Sequence, residues 1–181
     1  MADGITTKFD MSGVEVGMTA LAGPIKESLA RRMLVAAGQE VRDEAKRWVP
    51  TSVGPYNPSS RGSQDAGTLR DAIYLAFDKR DSTDVSFTYN VSWNNSIAWW
   101  GKLVEFGYTQ KFVVIYNKKL GAFQTLAKGK NNGVLRPGGP KRIPGKPFMR
   151  PAYEIVIPKA LSIMAATGRI ELPILLKEHA Q

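Results

Sequence analysis

One histidine, no cysteine and scattered carboxylates are all that this 181-residue chain offers to catalysis. Without cysteine there is no disulfide, no thiolate nucleophile and no zinc–thiolate site. The histidine, His179, stands two residues from the C-terminus, where a frayed tail is a better reading than a catalytic triad. Glu40 and Glu44 lie one helical turn apart, as metal-ligating carboxylates do. Arg42, Lys46 and Arg47 surround them, which favours a solvated salt-bridge face. Glycines and lysines crowd residues 128–133, but the phosphate-loop pattern G-x-x-x-x-G-K-[ST] is missing and prolines flank Gly138-Gly139, so a mobile hairpin is the reading there. Glu105 is the one carboxylate beside a long basic stretch. Alone it is no acid–base pair, and its expected role is a salt bridge or a local cap. No catalytic residue, metal ligand or cofactor is assigned, and a non-enzyme is expected.

The basic stretch carries more information. Between Phe106 and Tyr153 stand ten cations, Lys111, Lys118, Lys119, Lys128, Lys130, Arg136, Lys141, Arg142, Lys146 and Arg150, and not one Asp or Glu. The chain's net charge is +9, yet the remainder holds fifteen cations against sixteen acids. Such segregation points to DNA or an acidic protein surface; the plainer alternative is a flexible loop kept soluble by its lysines. Lys118, Lys119, Lys128, Lys130, Arg136, Lys141 and Arg142 are the candidate contacts. Neither an aromatic-interleaved RNA-binding motif nor a helix-turn-helix is evident, so any nucleic-acid contact would be to phosphates and indifferent to sequence.

Several elements must position these side chains. Ile5 to Met11 is patterned as a short strand, and Ser12 as the cap of a helix over 14–21. Gly23-Pro24 opens a long helix, with proline at its first position. Ile25, Leu29, Met33, Ala37, Val41, Ala45 and Trp48 form an apolar stripe at helical spacing, and Pro50 stops the helix after roughly 25 residues. Residues 51–68 read as a Ser-, Gly- and Pro-rich loop. Thr68-Leu69-Arg70-Asp71 resembles a capping box with Asp in place of Glu, opening one turn before a strand over 73–77. Val85, Phe87, Tyr89, Val91 and Trp93 alternate with polar residues, which predicts a strand over 84–93 with one face buried and the other solvated.

Asn94-Asn95 then turns the chain, and Ser96 is expected to cap a short helix ending at Gly107. Lys111 to Tyr116 is another strand, and residues 117–146 form a glycine-rich excursion. A last helix runs from Pro147 through Leu161 and Met164 to Gly168, kinked at Pro158. Residues 168–181 are left as a C-terminal arm, in which Pro173 makes Ile170 to Leu176 an edge strand or docking segment. The fold class is α+β: a small antiparallel or mixed sheet packed on one face by a long N-terminal helix and a C-terminal helix. The whole chain, 1–181, reads as one domain with extended loops at 51–68 and 117–146. It encodes no run of about 18 apolar residues that could span a membrane and no signal pattern at its start, so a cytoplasmic origin is expected.

The stretch from Trp99 to Tyr108, Trp-Trp-Gly-Lys-Leu-Val-Glu-Phe-Gly-Tyr, concentrates large apolar side chains in ten residues. Read as a helix, it aims Trp99 and Trp100 about 100° apart. A domain this small struggles to cover both indoles, so a neighbouring lobe or another subunit is needed. That reasoning leads to an assembly protein.

Two segments give this a family context. Leu103-Val104-Glu105-Phe106-Gly107, followed by Lys146-Pro147-Phe148-Met149-Arg150-Pro151-Ala152, resembles the tail-completion (head–tail joining, Z-like minor tail) proteins of tailed bacteriophages, in which a VEFGT-like segment precedes a PFLRPA-like one. Ala45-Lys46 with Pro50, and Gly67-Thr68-Leu69-Arg70-Asp71-Ala72-Ile73, match the first half of the pattern. Tyr108 in place of threonine and the longer loops depart from it. The resemblance implies a virion protein of the neck that assembles in the host cytoplasm into a ring, a hexamer first and a dodecamer second. Its expected partners are portal or adaptor, tail-terminator or tail-tube proteins, with non-specific contact to packaged DNA and none to membrane. Trp99, Trp100, Phe106, Tyr108, Phe148, Met149 and Pro151 are the expected subunit contacts; ordinary core is the alternative for Trp99, Trp100, Phe106 and Tyr108, and Phe148, Met149 and Pro151 should also anchor the last helix. The competing reading is a monomeric, non-sequence-specific basic nucleic-acid-binding module.

Overall fold

The computed structural model describes residues 6–7, 23–51, 67–83, 86–117, 119, 122–126 and 133–179. The expected helix over 14–21, most of the loop after Pro50 and the lysines 118, 128 and 130 lie outside these residues. The architecture is α+β, as the sequence pattern implies. Helix α1 (Gly23–Trp48) buries Ile25, Leu29, Met33, Ala37, Val41 and Ala45 along its length. Ala30, Leu34 and Gly38 are buried beside them, so the stripe is wide enough to meet a helix on one flank and a sheet on the other. Trp48 is not part of it. The side chain is exposed, and its indole N–H donates to Glu44 Oε1 at 3.0 Å, because the helix runs out of core before its last turn.

The sheet under α1 is three-stranded and antiparallel, in the order β1 (Thr6–Thr7), β3 (Tyr89–Trp93), β2 (Ile73–Phe77). Pairing of Ile73 with Trp93 and Leu75 with Val91 places apolar side chains on the face that α1 covers. The approach is close: a Cβ on Gly38 would lie 2.7 Å from Leu75 Cδ1. Among the described residues of the expected strand 84–93, 89–93 are strand and 86–88 are not, and the second face is not fully solvated, since Thr88 and Ser92 are buried. The turn over 78–83 folds back on this end: Asp78 N–H donates to Thr88 O at 2.9 Å, and the Thr88 hydroxyl to Asp81 O at 2.9 Å. Before β2, the single turn α2 (Thr68–Asp71) forms, but its cap is Gly67 at φ 96°, so Thr68 sits inside the turn rather than capping it.

The last helix, α4 (Met149–Glu178; the short α3 is described with the site), runs antiparallel to α1. Ala152 and Val156 share a core with Val41, Ala45 and Trp93, while Met164 and Leu175 share one with Ile25, Leu29 and Met33. Arg32 bridges to Glu171 and lies 3.6 Å from Glu178 at the far end. The expected break at Pro173 does not occur, and residues 168–178 are helix instead of an edge strand. Pro158 and Pro173 both sit on the exposed side, where the carbonyls they leave without a donor can face water.

Candidate assembly surface

The surface around the two adjacent tryptophans begins at Asn94, not Ser96. Asn94 Oδ1 accepts the Ser96 N–H at 2.9 Å, and its carbonyl accepts the N–H of Ile97 and Ala98. This turn uses up the polar residues expected to cap the helix. Helix α3 (Gly101–Phe106) therefore starts later than the pattern suggests, and Trp99 and Trp100 precede it. Their rings meet edge-on, 6.1 Å between centroids. Trp100 packs against the core, whereas Trp99 stays 40% exposed. Gly101 is required here, because a Cβ would come within 2.5 Å of the Trp93 indole nitrogen.

Phe106 ends α3 with 53% of its surface exposed, and Tyr108 follows at 40%. Ile97 is also exposed, so Ile97, Trp99, Phe106 and Tyr108 leave a run of large apolar side chains uncovered on either side of α3. Phe148 and Met149 turn inward. They are 0% and 2% exposed, inside the chain's own core, with the Phe148 ring edge-on to Trp93 at 5.7 Å. Buried there, each contributes about 1.5–3 kcal/mol of burial to the chain's own core. Pro151 is half-buried in the same first turn.

The residue that joins these parts is Glu105, a cap as the sequence allowed, but for a distant helix and not a local one. Glu105 is 5% exposed, and its carboxylate accepts three backbone N–H groups of the first turn of α4: Phe148 at 2.7 Å, Met149 at 3.0 Å and Arg150 at 3.3 Å. It is a cap supplied from another helix, with the charge at the positive end of the dipole. The signal was present, because α4 has no acidic residue in its own first turn. Next to it the chain crosses itself. Gly107 takes φ 74°, its Cβ would meet Ile143 O at 2.5 Å, and a Cβ on Gly145 would meet Glu105 O at 2.5 Å. Lys146 N–H closes the crossing on Val104 O at 2.7 Å.

The described residues between Gly107 and Gly145 pair among themselves as an arm. Strand β4 (Tyr108–Gln110) pairs with β7 (Lys141–Ile143), Phe112 opposes Leu135, and β5 (Val114–Asn117) pairs with β6 (Ala122–Thr125). A tight turn with Gly138 and Gly139 at positive φ, 84° and 89°, separates two of these partners. Lys119, Lys141 and Arg142 are exposed; Arg136 is half-buried and donates to Gln110 Oε1 at 2.8 Å, and Arg142 donates to Phe106 O at 3.3 Å. Among the described residues, no ion pair involves an arm cation. The nearest carboxylate, Glu105, is already committed to the helix cap. The arm's positive charge is thus uncompensated among the described residues.

Compared with known proteins, residues 16–107 match the model of one family, described as "Bacteriophage HK97-gp10, putative tail-component". This chain belongs to that HK97-gp10-like family. The match spans α1 to α3 and ends at Gly107, where the arm starts. Membership agrees with the phage tail-completion resemblance and supports a structural role in a phage tail. No curated protein and no solved structure matches. Among the described residues, no cluster of three or more His, Asp or Glu could hold a metal, and no helix is long and apolar enough to cross a membrane.

Proposed function

We propose that this HK97-gp10-like chain is a non-enzymatic structural subunit that forms a ring at the head–tail junction of a tailed phage, joining tail to head. The observation that carries the reading is the exposed apolar run Ile97, Trp99, Phe106 and Tyr108 on either side of α3. Surface of this kind, flanked by charge, marks a protein–protein contact. A ring of subunits gives each copy a neighbour on both sides, with a hexamer the first expectation and a dodecamer the second. Portal or adaptor, terminator and tail-tube proteins are the neighbours along the axis. The chain is proposed to act as one unit over 1–181, with assembly in the host cytoplasm.

The arm's uncompensated cations, Lys119, Lys141 and Arg142 among them, supply a surface for the DNA channel or an acidic partner. The same cations favour the second reading, a monomeric DNA-binding module. Sedimentation separates the two. A ring protein is multimeric, alone or with purified neck proteins, and electron microscopy of the parent particles shows it as a ring. A module stays monomeric and binds duplex DNA with a steep salt dependence.

A further inference from the structure

The arm cannot bury itself. A two-stranded ribbon is marginal alone, and alternation along residues 108–117 puts Tyr108, Phe112 and Val114 on one face, all exposed. Leu135, opposed to Phe112 on that face, is 69% exposed. Two arms packed face to face cannot supply the cover, since each carries eight cations and no acid. All sixteen carboxylates lie elsewhere in the chain.

A complementary surface exists at the other end of α4. Ile170, Ile174 and Glu178 recur at every fourth residue, so they form one stripe, and both isoleucines are exposed, Ile170 at 65%. The stripe ends in a carboxylate that neighbours Arg32 at 3.6 Å without being buried. The arm is rooted just before this 30-residue helix and the stripe occupies its last turns, so about 30–45 Å separates them in one copy at ~1.5 Å per residue.

We propose that the apolar face of the arm of one copy seats on the Ile170–Ile174–Glu178 stripe of the next copy. Unlike patches at opposite ends of a molecule make a head-to-tail contact, which closes into a ring where the rotation allows. Lys111 and Arg142, on the arm's other face, stay free for a polyanion. The inference rests on the ring reading and adds which surfaces meet.

The absence of cysteine makes the test direct, because introduced thiols are unique. Full-length protein carrying Leu135→Cys together with Ile174→Cys is treated with a short bis-maleimide, after circular dichroism has confirmed its fold. The expected result on a denaturing gel is a ladder of dimer, trimer and higher species, lost in either single variant. A dimer from Leu135→Cys alone shows arm against arm, and a dimer from Ile174→Cys alone shows helix against helix. Either result, or a folded double variant that gives no ladder, overturns the contact. Rings in electron micrographs of a variant that gives no ladder keep the ring and discard this contact. A ladder from open filaments keeps the contact and discards the ring.

Discussion

Glu105 Oε2 accepts the backbone N–H of Phe148, 43 positions along the chain, at 2.7 Å. One carboxylate thereby fixes the end of α3, the start of α4 and the crossing that roots the arm. Removing it leaves three N–H groups of a buried helix start without their anion. Glu105→Ala is expected to destabilise the fold by about 3 kcal/mol and Glu105→Gln by about half of that. Urea unfolding measures both, and wild-type midpoints in the two variants would show the cap to be idle.

The crossing itself is set by backbone against backbone. Gly107→Ala introduces a Cβ 2.5 Å from Ile143 O at a positive φ, a strain with no flexible side chain to absorb it, and about 2–3 kcal/mol of stability should be lost. Gly138→Ala shares the positive φ but opens into space, so it should cost about 1 kcal/mol. Thermal melts of the pair test whether the contact or the dihedral dominates.

Acid should loosen the turn beside the sheet. Asp78 is held below the usual carboxylate range, first by the Arg80 N–H, then by the Asp81 N–H and the Asn90 amide, against an opposing cost of desolvation. A folded-state pKa below the unfolded one means that the stabilisation is present above the unfolded value and is lost as pH falls through the folded value. Unfolding midpoints of wild type should therefore drop below about pH 4 more steeply than those of Asp78→Asn. Parallel curves would remove Asp78 from the acid response.

The two neighbouring indoles should separate folding from assembly. Trp99→Ala removes an exposed ring and should leave the unfolding midpoint within about 0.5 kcal/mol of wild type, while the oligomer seen by light scattering is lost. Trp100→Ala, packed against the core, should lose stability as well. Equal loss of stability in both would make Trp99 part of the body.

Replacing Lys118, Lys119, Lys128 and Lys130 together by Gln should leave circular dichroism unchanged. If the arm does meet DNA, the slope of log affinity against log salt should fall by up to about 4. Loss of native ellipticity would instead assign the lysines to the folded core.

What the sequence made legible was what repeats. The stripe from Ile25 to Ala45 has a period of 3.6 and is buried as read; Trp48 continues the period but has no core left to enter. Strand β2 and the end of β3 follow their alternation. Competing local chemistry hid the rest: Asn94 takes the turn hydrogen bonds assigned to Ser96 and shifts α3 past both tryptophans. Pro173 breaks a helix only where its lost hydrogen bond faces protein, and burial cannot be read one residue at a time. Glu105 was legible as a cap but its partners were not, since they are backbone amides of a helix start more than forty positions away.

The chain crosses itself at Gly107 and Gly145, so the body is complete on one side of a narrow neck. Whatever hangs beyond that neck can lengthen, shorten or change its charge without disturbing the packing behind it. A lineage of such proteins could keep one chassis and exchange the attachment, matching each new companion by rewriting only the pendant.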